Sequence, residues 1–556
     1  VDGKNSILKV NMPVQEYSDD DFHAASIGGL FNVLRQVPDE VPADQRGTYH
    51  MLQNLTIGSN NSTEKSVITL SYVGDDSPSG FGNNNQYNVG VGGFAGSTAG
   101  VSAGVKQVST ANVRCNEVKL QNLDINSPAS AGGLFGNTGR GAGANTDIGI
   151  LIGQSSNSYN NYFGLNLIDC TYDSLNITGK YASGGFAGYV DSGANGLISS
   201  VKNTTGAELK IGASSTITAS TGTSYAGGIF GSVKTNLEIN NTGDGSSYKN
   251  VIVKGTTISA TTNAGGYVGQ IENSNNATSY NINNAVFKDG NVTANSNIGG
   301  LIGNSESRQN NSINKCNIEN SRLNTENGNR QTGGLIGRIG NGQIGITHSK
   351  VQGLTAYGKF SGGLIGEVIG TVTVEDTEIT GTESEKTIIN STDGASGIYG
   401  RLSTNNPIIM KRCQVKYTEI TTTQWSASAF SGDIHVSSGK NASISIYDSS
   451  AQHIKITAPF SGGMAGQMRG SLTAANIVMN DVEIIGRQNN NGLSGTIISD
   501  PGSGAKYIYV AGISMQNINM KDKNGKAADN LYGYASEASK EAIGKKCYFA
   551  FADYTG

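Results

Sequence analysis

"QTGGLIGRIG", residues 331 to 340, contains the pentad GGLIG, and close variants of these five letters recur along most of the chain. Related motifs begin at Gly92, Gly132, Gly184, Gly227, Gly265, Gly299, Gly333, Gly362 and Gly462, with weaker copies at Gly28, Ser396 and Ser431. From Gly92 onward the steps range from 29 to 52 residues and cluster near 34. An internal period of this size indicates a repeat architecture in which each unit packs against its neighbours.

The segments between the pentads have the pattern of short strands. "GTVTVEDTEITG" (370–381) and "QIGITHSKVQGLTA" (343–356) alternate apolar and polar residues and are rich in Val, Ile and Thr, which is typical of strands. Helical repeats are excluded because glycine at this density would cost a helix about 1 kcal/mol per site. We therefore predict an all-β fold, a parallel β-solenoid (β-helix) of about 12 coils with three short strands per coil and terminal caps.

The composition argues against several kinds of partner. Of 556 residues, 39 are basic and 43 acidic, which gives a net charge of -4, whereas nucleic acids and membrane surfaces select basic faces. No apolar run approaches the roughly 18 residues of a membrane helix, so we expect no membrane insertion. Val1 stands where Met would be expected, which favours a mature terminus left by an export signal, although an arbitrary start would look the same.

The pentad predicts which side chains point inward. If Gly333 to Ile339 are positions one to seven, strand alternation turns positions three, five and seven inward and the polar position six outward. Glycine at position five then lies where a narrow interior has no room for a side chain. The leading Gly-Gly is expected to turn the corner with backbone angles that other residues resist.

Position four does not fit this alternation, because it is apolar on the side that should face solvent. Either the corner breaks the alternation or a loop covers this face, or the residues form an exposed stripe that docks onto another subunit. The candidate assembly stripe comprises Phe135, Phe230, Val268, Ile302, Ile336, Ile365 and Tyr399.

The cysteines are predicted to be structural residues. Cys115, Cys170, Cys316 and Cys413 each lie 14 to 18 residues before the next motif, and Ser349 takes the same place in another repeat. A site that accepts Cys or Ser is expected to be a small buried ladder position. The chain has no CxxC pair and its five histidines are scattered, so we expect neither a metal nor a cofactor.

No motif for catalysis is found, and we expect no enzyme. Enzymes that cleave acidic polysaccharides use β-helices too, but they need clustered acids. The acidic candidates are expected to lie in solvated turns; they are Asp19 to Asp21, Asp75, Asp76, Asp147 and Asp244. A groove of stacked tyrosines, Tyr159, Tyr162, Tyr172 and Tyr181, would be the best support for the alternative function, a polysaccharide-binding or polysaccharide-cleaving β-helix.

The chain divides into three predicted regions. Residues 1–50 form an N-terminal cap or assembly region, residues 51–515 the repeat solenoid, and residues 516–556 a C-terminal cap or assembly segment. Capping protects the exposed strand edges, whereas a strand donated to the next subunit would build a filament. The candidate donor residues are Ile7, Leu8, Val10, Met12, Phe549 and Phe551.

The iterated GGLIG, GGFAG and GGLFG units over residues 90–500 resemble the GLUG motif of bacterial and archaeal surface proteins, which include adhesins. The resemblance implies an exported, cell-surface location and an adhesive or architectural role, and it carries over no catalytic residues. We therefore expect an extracellular adhesin or a subunit of a filament or sheath. Its partners would be copies of itself or a host or cell-surface ligand, with a glycan as a further candidate.

Overall fold

The structure, a computed structural model, contains only β-strands as regular elements among the residues that it describes, and the predicted parallel β-solenoid is confirmed. It describes residues 7–12, 26–28, 31–35, 49–59, 63, 65–72, 90–99, 111–127, 129–138, 163–190, 198–240, 249–273, 278–325, 330–404, 406–434, 442–468, 470–491, 494–497, 508–527, 532–534 and 547–555. The chain forms two compact units, Val1–Ala285 and Val286–Gly556. Each unit is a stack of coils joined by parallel strand pairing.

One coil contains five strands, not the three that the sequence predicts. In one coil of the second unit they are Gln331–Gly333, Ile336–Ile339, Gln343–Thr347, Lys350–Gln352 and the first half of Thr355–Gly362. We number them first to fifth in chain order, so the first strand ends on motif position one and the second carries positions four to seven. The predicted number of strands per coil was too low because two sharp corners divide the segment after the third strand into separate fourth and fifth strands.

The first unit repeats this order with short, separate strands. The first strands are Ser26–Gly28, Gly90–Gly92, Ser130–Gly132, Ala182–Gly184, Tyr225–Gly227 and Asn263–Gly265, and the second strands are Phe31–Arg35, Ala95–Ala99, Phe135–Thr138, Ala187–Val190, Phe230–Val233 and Val268–Ile271. The third strands are Tyr49–Gln53, Ala111–Asn116, Phe163–Ile168, Ile198–Lys202, Asn236–Ile239 and Tyr280–Asn283. The fourth strands are Thr56–Gly58, Lys119–Gln121, Thr171–Asp173, Leu209–Ile211 and Val251–Lys254, and the fifth are Ile7–Met12, Ser66–Tyr72, Leu123–Asn126, Asn176–Gly179, Thr216–Ala219 and Thr257–Ala260.

The second unit begins with separate strands and ends with long ones that run through the corners. The separate strands are Asn291–Ala294, Asn297–Gly299, Ile302–Ser305, Asn310–Asn314, Asn317–Glu319, Arg322–Thr325, Gln331–Gly333, Ile336–Ile339, Gln343–Thr347, Lys350–Gln352, Ile365–Val368, Thr371–Glu375, Glu378–Thr380, Tyr399–Leu402, Ile408–Lys411, Ser426–Ser428, Ser431–Ile434, Ala442–Tyr447, Ala465–Met468, Ser494–Ile497 and Tyr532–Tyr534. The continuous strands are Thr355–Gly362, Thr387–Ser396, Gln414–Thr422, Ser450–Gly462, Gly470–Asn491, Ile508–Asp522 and Cys547–Thr555. The strand Ala285–Lys288 contains the boundary between the two units.

Successive coils stack in exact register at the motif. Ile336 pairs with Ile365, and Ile365 pairs with Tyr399 in the coil after that, while at position six Arg338 pairs with Glu367. In-register parallel pairing places equivalent side chains one above another, roughly 4.8 Å apart. The chain repeats because each coil must present the same residue types to the coils beside it.

In most of the described coils, two corners contain a residue with positive φ. Between third and fourth strands these residues are Asn54, Glu117, Asp169, Asn240, Asn284, Lys315, His348, Asp376, Arg412, Asp448 and Asn476. Between fourth and fifth strands they are Asn122, Ser174, Ser214, Asp289, Asn320, Tyr417, His453, Asp481 and Asn517. Their φ values lie between 45° and 55°, in the left-handed region that Asn and Asp tolerate better than most side chains.

The motif glycines serve a different purpose from the one predicted. Gly333 and Gly334 are outside the positive-φ region, so the proposed use of unusual backbone angles is wrong. A Cβ at Gly333 would overlap the carbonyl oxygen of Ile336, and one at Gly337 would lie 2.6 Å from the amide nitrogen of Ile298 in the neighbouring coil. The glycines therefore allow first and second strands to approach backbone to backbone.

The core of each unit lies inside its coils. In the coil just described, Leu335, Ile344, Ile346, Val351 and Ala356 are at most 1 % exposed. One side chain from each wall meets the others in a narrow interior, so a single coil is closed above and below by its neighbours.

Candidate functional site

The position-four side chains are buried. Phe135, Phe230, Val268, Ile302, Ile336, Ile365 and Tyr399 are each 0 % exposed. The prediction that they form an exposed docking stripe is therefore wrong.

The stripe is buried because the second strand has protein on both faces. Gly337 at position five faces the backbone of Ile298 in a first strand, so position four points to the opposite side. On that side Tyr399 lies near Cys413, and burial, followed by the nearby thiol, raises the pKa of the Tyr399 hydroxyl. The simple inward-outward alternation failed because it assumed that one face of this strand meets solvent.

Position six is polar but is not a solvated row. Ser232, Gln270, Asn304 and Glu367 are at most 7 % exposed, and the side chain of Arg338 is 24 % exposed. Ser232, Asn304 and Glu367 form hydrogen bonds to neighbouring coils, as when Gln331 Nε2 donates to Glu367 Oε2 at 2.9 Å. The prediction that position six points into solvent is therefore wrong for the buried members.

In the second unit position six carries alternating charges, which we call the position-six ladder: Arg338, Glu367, Arg401 and Asp433. Arg338 Nε lies 3.5 Å from Glu367 Oε2, Arg401 Nη1 lies 3.8 Å from Glu367 Oε1, and Arg401 Nε lies 3.6 Å from Asp433 Oδ2. Arg401 also lies over the Phe360 ring, 4.6 Å from its centroid. Partial burial makes such a row costly to break at one member, since the neighbour would keep an uncompensated charge.

The corner between third and fourth strands carries a second, more exposed ion cluster. Arg412 Nη2 donates to Asp376 Oδ2 at 2.8 Å and lies 3.2 Å from Glu375 Oε2, while His348 Nε2 lies 3.7 Å from Asp376 Oδ2. The hydrogen bond from Arg412 is the main cause that lowers the pKa of Asp376. The cluster links three successive coils at their left-handed corner residues.

The cysteines Cys115, Cys170, Cys316 and Cys413 are free and buried, as the sequence predicts for a small internal position. Burial raises the pKa of Cys170 to about 11 and that of Cys413 to about 12, so these thiols stay protonated and unreactive at neutral pH. Cys115 differs from the prediction, because it lies on a third strand opposite Leu167, whereas Cys170, Cys316 and Cys413 directly follow a corner residue.

The residue after the corner has a role that the sequence analysis missed. Ser349 Oγ donates to the Thr347 carbonyl at 2.9 Å and accepts a hydrogen bond from the Cys316 amide at 3.2 Å. Ser449 repeats the pattern, accepting from the Cys413 amide at 3.0 Å. The hydroxyl thus satisfies backbone groups that the sharp corner frees. The sequence signal is a Ser, Thr or Cys that directly follows several of the corner residues, as at Cys170, Ser349 and Thr377.

The turn between a fifth and a first strand carries an exposed aromatic residue, Trp425, which is 47 % exposed. Its indole stacks on the Phe460 ring of the next coil, with centroids 6.1 Å apart and planes at 21°. Ladder pairing of the following residues places Asp393 one coil before Trp425 and Lys359 two coils before it. Lys359 Nζ lies 3.5 Å from Asp393 Oδ2. No sequence motif marks this corner, because its residues come from separate repeats.

Several predicted features fall elsewhere. Tyr172 is 1 % exposed and its hydroxyl donates to the Gly228 carbonyl, so it does not line an open groove. Asp19 to Asp21, Asp75, Asp76, Asp147, Asp244, Tyr159 and Tyr162 lie outside the described residues. Among the residues that the structure does describe, no group of three or more His, Cys, Asp or Glu side chains could hold a metal ion.

The candidate donor strands are part of the ladders. Ile7, Leu8, Val10 and Met12 pair with Val67, Ile68, Leu70 and Tyr72, while Phe549 and Phe551 pair with Val510 and Ile513. The strands thus belong to the end coils of their units, and their donation to another subunit stays a prediction.

Across the described ranges the structure holds no helix long and apolar enough to span a membrane. Comparison with protein-family models, with curated proteins and with solved structures finds no match to this chain.

Proposed function

We propose that this protein is an extracellular structural or adhesive protein, either an adhesin or a subunit of a surface filament or sheath. It acts through surfaces built by the repeat rather than through catalysis. The observation that carries the proposal is the in-register stacking of the coils, which places charged side chains one above another along the exposed fifth strands: Glu419 pairs with Lys455, and Lys455 pairs with Glu483. A surface of such rows offers a partner the same contact many times, and repeated weak contacts sum to strong attachment.

The exposed face of the fifth strands in the second unit supports this proposal. Lys386 Nζ lies 2.8 Å from Glu419 Oε1. Glu483 forms two ion pairs, with Lys455 Nζ 3.3 Å from its Oε2 and Lys521 Nζ 3.4 Å from its Oε1. Exposed pairs of this kind contribute little stability, and their charges are accessible for contact with a charged, repeating partner. The partner is a second copy of the chain or a host or cell-surface ligand. Assembly through the buried position-four residues is not part of the proposal.

The resemblance of the pentads to GLUG-motif surface proteins supports an exported location. The buried thiols are consistent with it, because Cys170 and Cys413 are shielded from oxidation by their place inside the coils.

The test is electron microscopy of the purified full chain, together with binding to whole cells. We expect filaments or sheets, or saturable attachment to a cell surface, and we expect both to weaken as salt rises because exposed charges are screened. A chain that stays monomeric, attaches to no surface and depolymerises an acidic polysaccharide would overturn the proposal in favour of an enzyme.

A second candidate, a polysaccharide-binding β-helix, is favoured by one observation, the exposed Trp425 beside Asp393 and Lys359. If this corner binds polysaccharide, the same contact would attach the protein to a glycan-coated surface. The cleaving variant of this function gains no support from the described residues.

A further inference from the structure

We infer that the corner formed by Lys359, Asp393, Trp425 and Phe460 is a saccharide-binding subsite that takes one pyranose unit of a glycan. The inference deepens the proposed adhesive function and rests on it, since it names the chemical class of the surface ligand.

The indole of Trp425 provides the apolar platform. It is 47 % exposed and stacks on Phe460 with a 21° angle between planes. Burying an exposed aromatic face is favourable, so a ligand that covers this indole would gain binding free energy. A pyranose ring has one face of C–H groups, which matches such a platform in size and polarity.

The platform is held rigidly. Thr422 Oγ1 donates to the Thr392 carbonyl at 2.8 Å, and the Gln424 amide donates to the same carbonyl at 2.8 Å. On the other side the Phe460 amide donates to the Trp425 carbonyl at 3.0 Å. The turn is therefore fixed by the coil before it and the coil after it, and binding would cost little conformational entropy.

Hydrogen-bonding groups lie beside the platform on the side away from Phe460. Asp393 precedes Gly394, which pairs with Ser426, so Asp393 and Trp425 are neighbours in the ladder. Its carboxylate accepts hydrogen bonds, while Lys359, 3.5 Å away, donates them. Sugar hydroxyls donate and accept at once, so a paired carboxylate and ammonium suit them.

Other ligand classes fit this corner less well. A protein or lipid interface would require a contiguous apolar patch of several hundred Å², but Trp425 is flanked by exposed Thr423 and Gln424 and by the charged pair. A quaternary ammonium ligand would be repelled by Lys359 and would need a cage of several rings.

The chain contains a single tryptophan, so its fluorescence reports on this corner alone. The experiment titrates the full chain with soluble hexasaccharides of glucose, galactose and N-acetylglucosamine and follows tryptophan emission. We expect a saturable change with at least one of them. No saturable change with any of the three at millimolar concentration would overturn the inference.

Variants read by calorimetry complete the test. Trp425→Ala and Asp393→Asn should each weaken binding about tenfold or more, while Trp425→Phe should keep most of it. Tyr509→Ala removes another aromatic residue that is 47 % exposed and should leave binding unchanged. Equal loss in Tyr509→Ala would overturn the inference, because binding would then be nonspecific. Electron microscopy of Trp425→Ala keeps the two proposals apart, since assembly should persist when the subsite is lost.

Discussion

Replacing Gly337 with alanine tests whether backbone approach between first and second strands requires glycine. The new Cβ would lie 2.6 Å from the Ile298 amide nitrogen and 2.7 Å from its carbonyl oxygen. Both atoms belong to the backbone of a hydrogen-bonded strand, so neither can move without displacing the neighbouring coil. Overpacking of this kind costs about 1–3 kcal/mol, and we expect the free energy of unfolding to fall by about 2 kcal/mol.

Gly345→Ala is the matched control in the same coil. It lies on the third strand Gln343–Thr347, its φ is outside the left-handed region, and a Cβ there would meet nothing within 4 Å. Alanine at such a site stabilises by about 0.4–1 kcal/mol through the unfolded chain. The two variants should therefore move in opposite directions although the substitution is the same.

The assay is urea denaturation of the full chain followed by circular dichroism. Gly337→Ala should lower the midpoint by roughly 0.5 M or more, while Gly345→Ala should leave it equal or raise it slightly. Equal midpoints for wild type and Gly337→Ala would refute the argument, as would an equal loss in both variants, which would indicate a general effect of removing glycine.

Three further outcomes are expected. Ile336→Thr should destabilise the chain by about 2–4 kcal/mol because it removes buried apolar volume and buries a hydroxyl, and a variant as stable as wild type would show that position four is not core. Cys413→Ser should be tolerated because Ser449 fills the same place in the next coil, whereas Cys413→Val loses the hydrogen bond to the corner and should cost about 1 kcal/mol; denaturation midpoints compare them. The pKa of Asp376 is lowered by Arg412, so its contribution to stability is fully present above the ordinary value and is lost as pH falls through the lowered one. Stability measured from pH 5 down to pH 2 should therefore fall less steeply in Asp376→Asn than in wild type.

The sequence was sufficient for the class of fold. The spacing of pentads such as GGLIG at 333–337 marks one coil per motif, and alternation in "GTVTVEDTEITG" indicates strands. The burial of Leu335 and of the cysteines followed from the same reasoning. These features are local or periodic, which is why a single sequence reveals them.

The corners, the burial of position four and the Trp425 corner could not be predicted, because they depend on the path of the chain in three dimensions. In the sequence, corner residues such as His348 and Asp376 look like ordinary exposed polar residues, because no single amino-acid type identifies a position with positive φ. Predicting the burial of Ile336 would require knowing that the first strands cover the other face of its strand. The Trp425 corner joins residues of four coils, so only the register brings them together.

The alternating signs of Arg338, Glu367, Arg401 and Asp433 constrain how this protein can change length. Loss of the coil that carries Glu367 would bring two guanidinium groups face to face, and like charges opposite each other destabilise a ladder. Loss or duplication of two adjacent coils would preserve the alternation. Through this stretch, then, loss of one inner coil is disfavoured, whereas loss of both inner coils would leave Arg338 opposite Asp433.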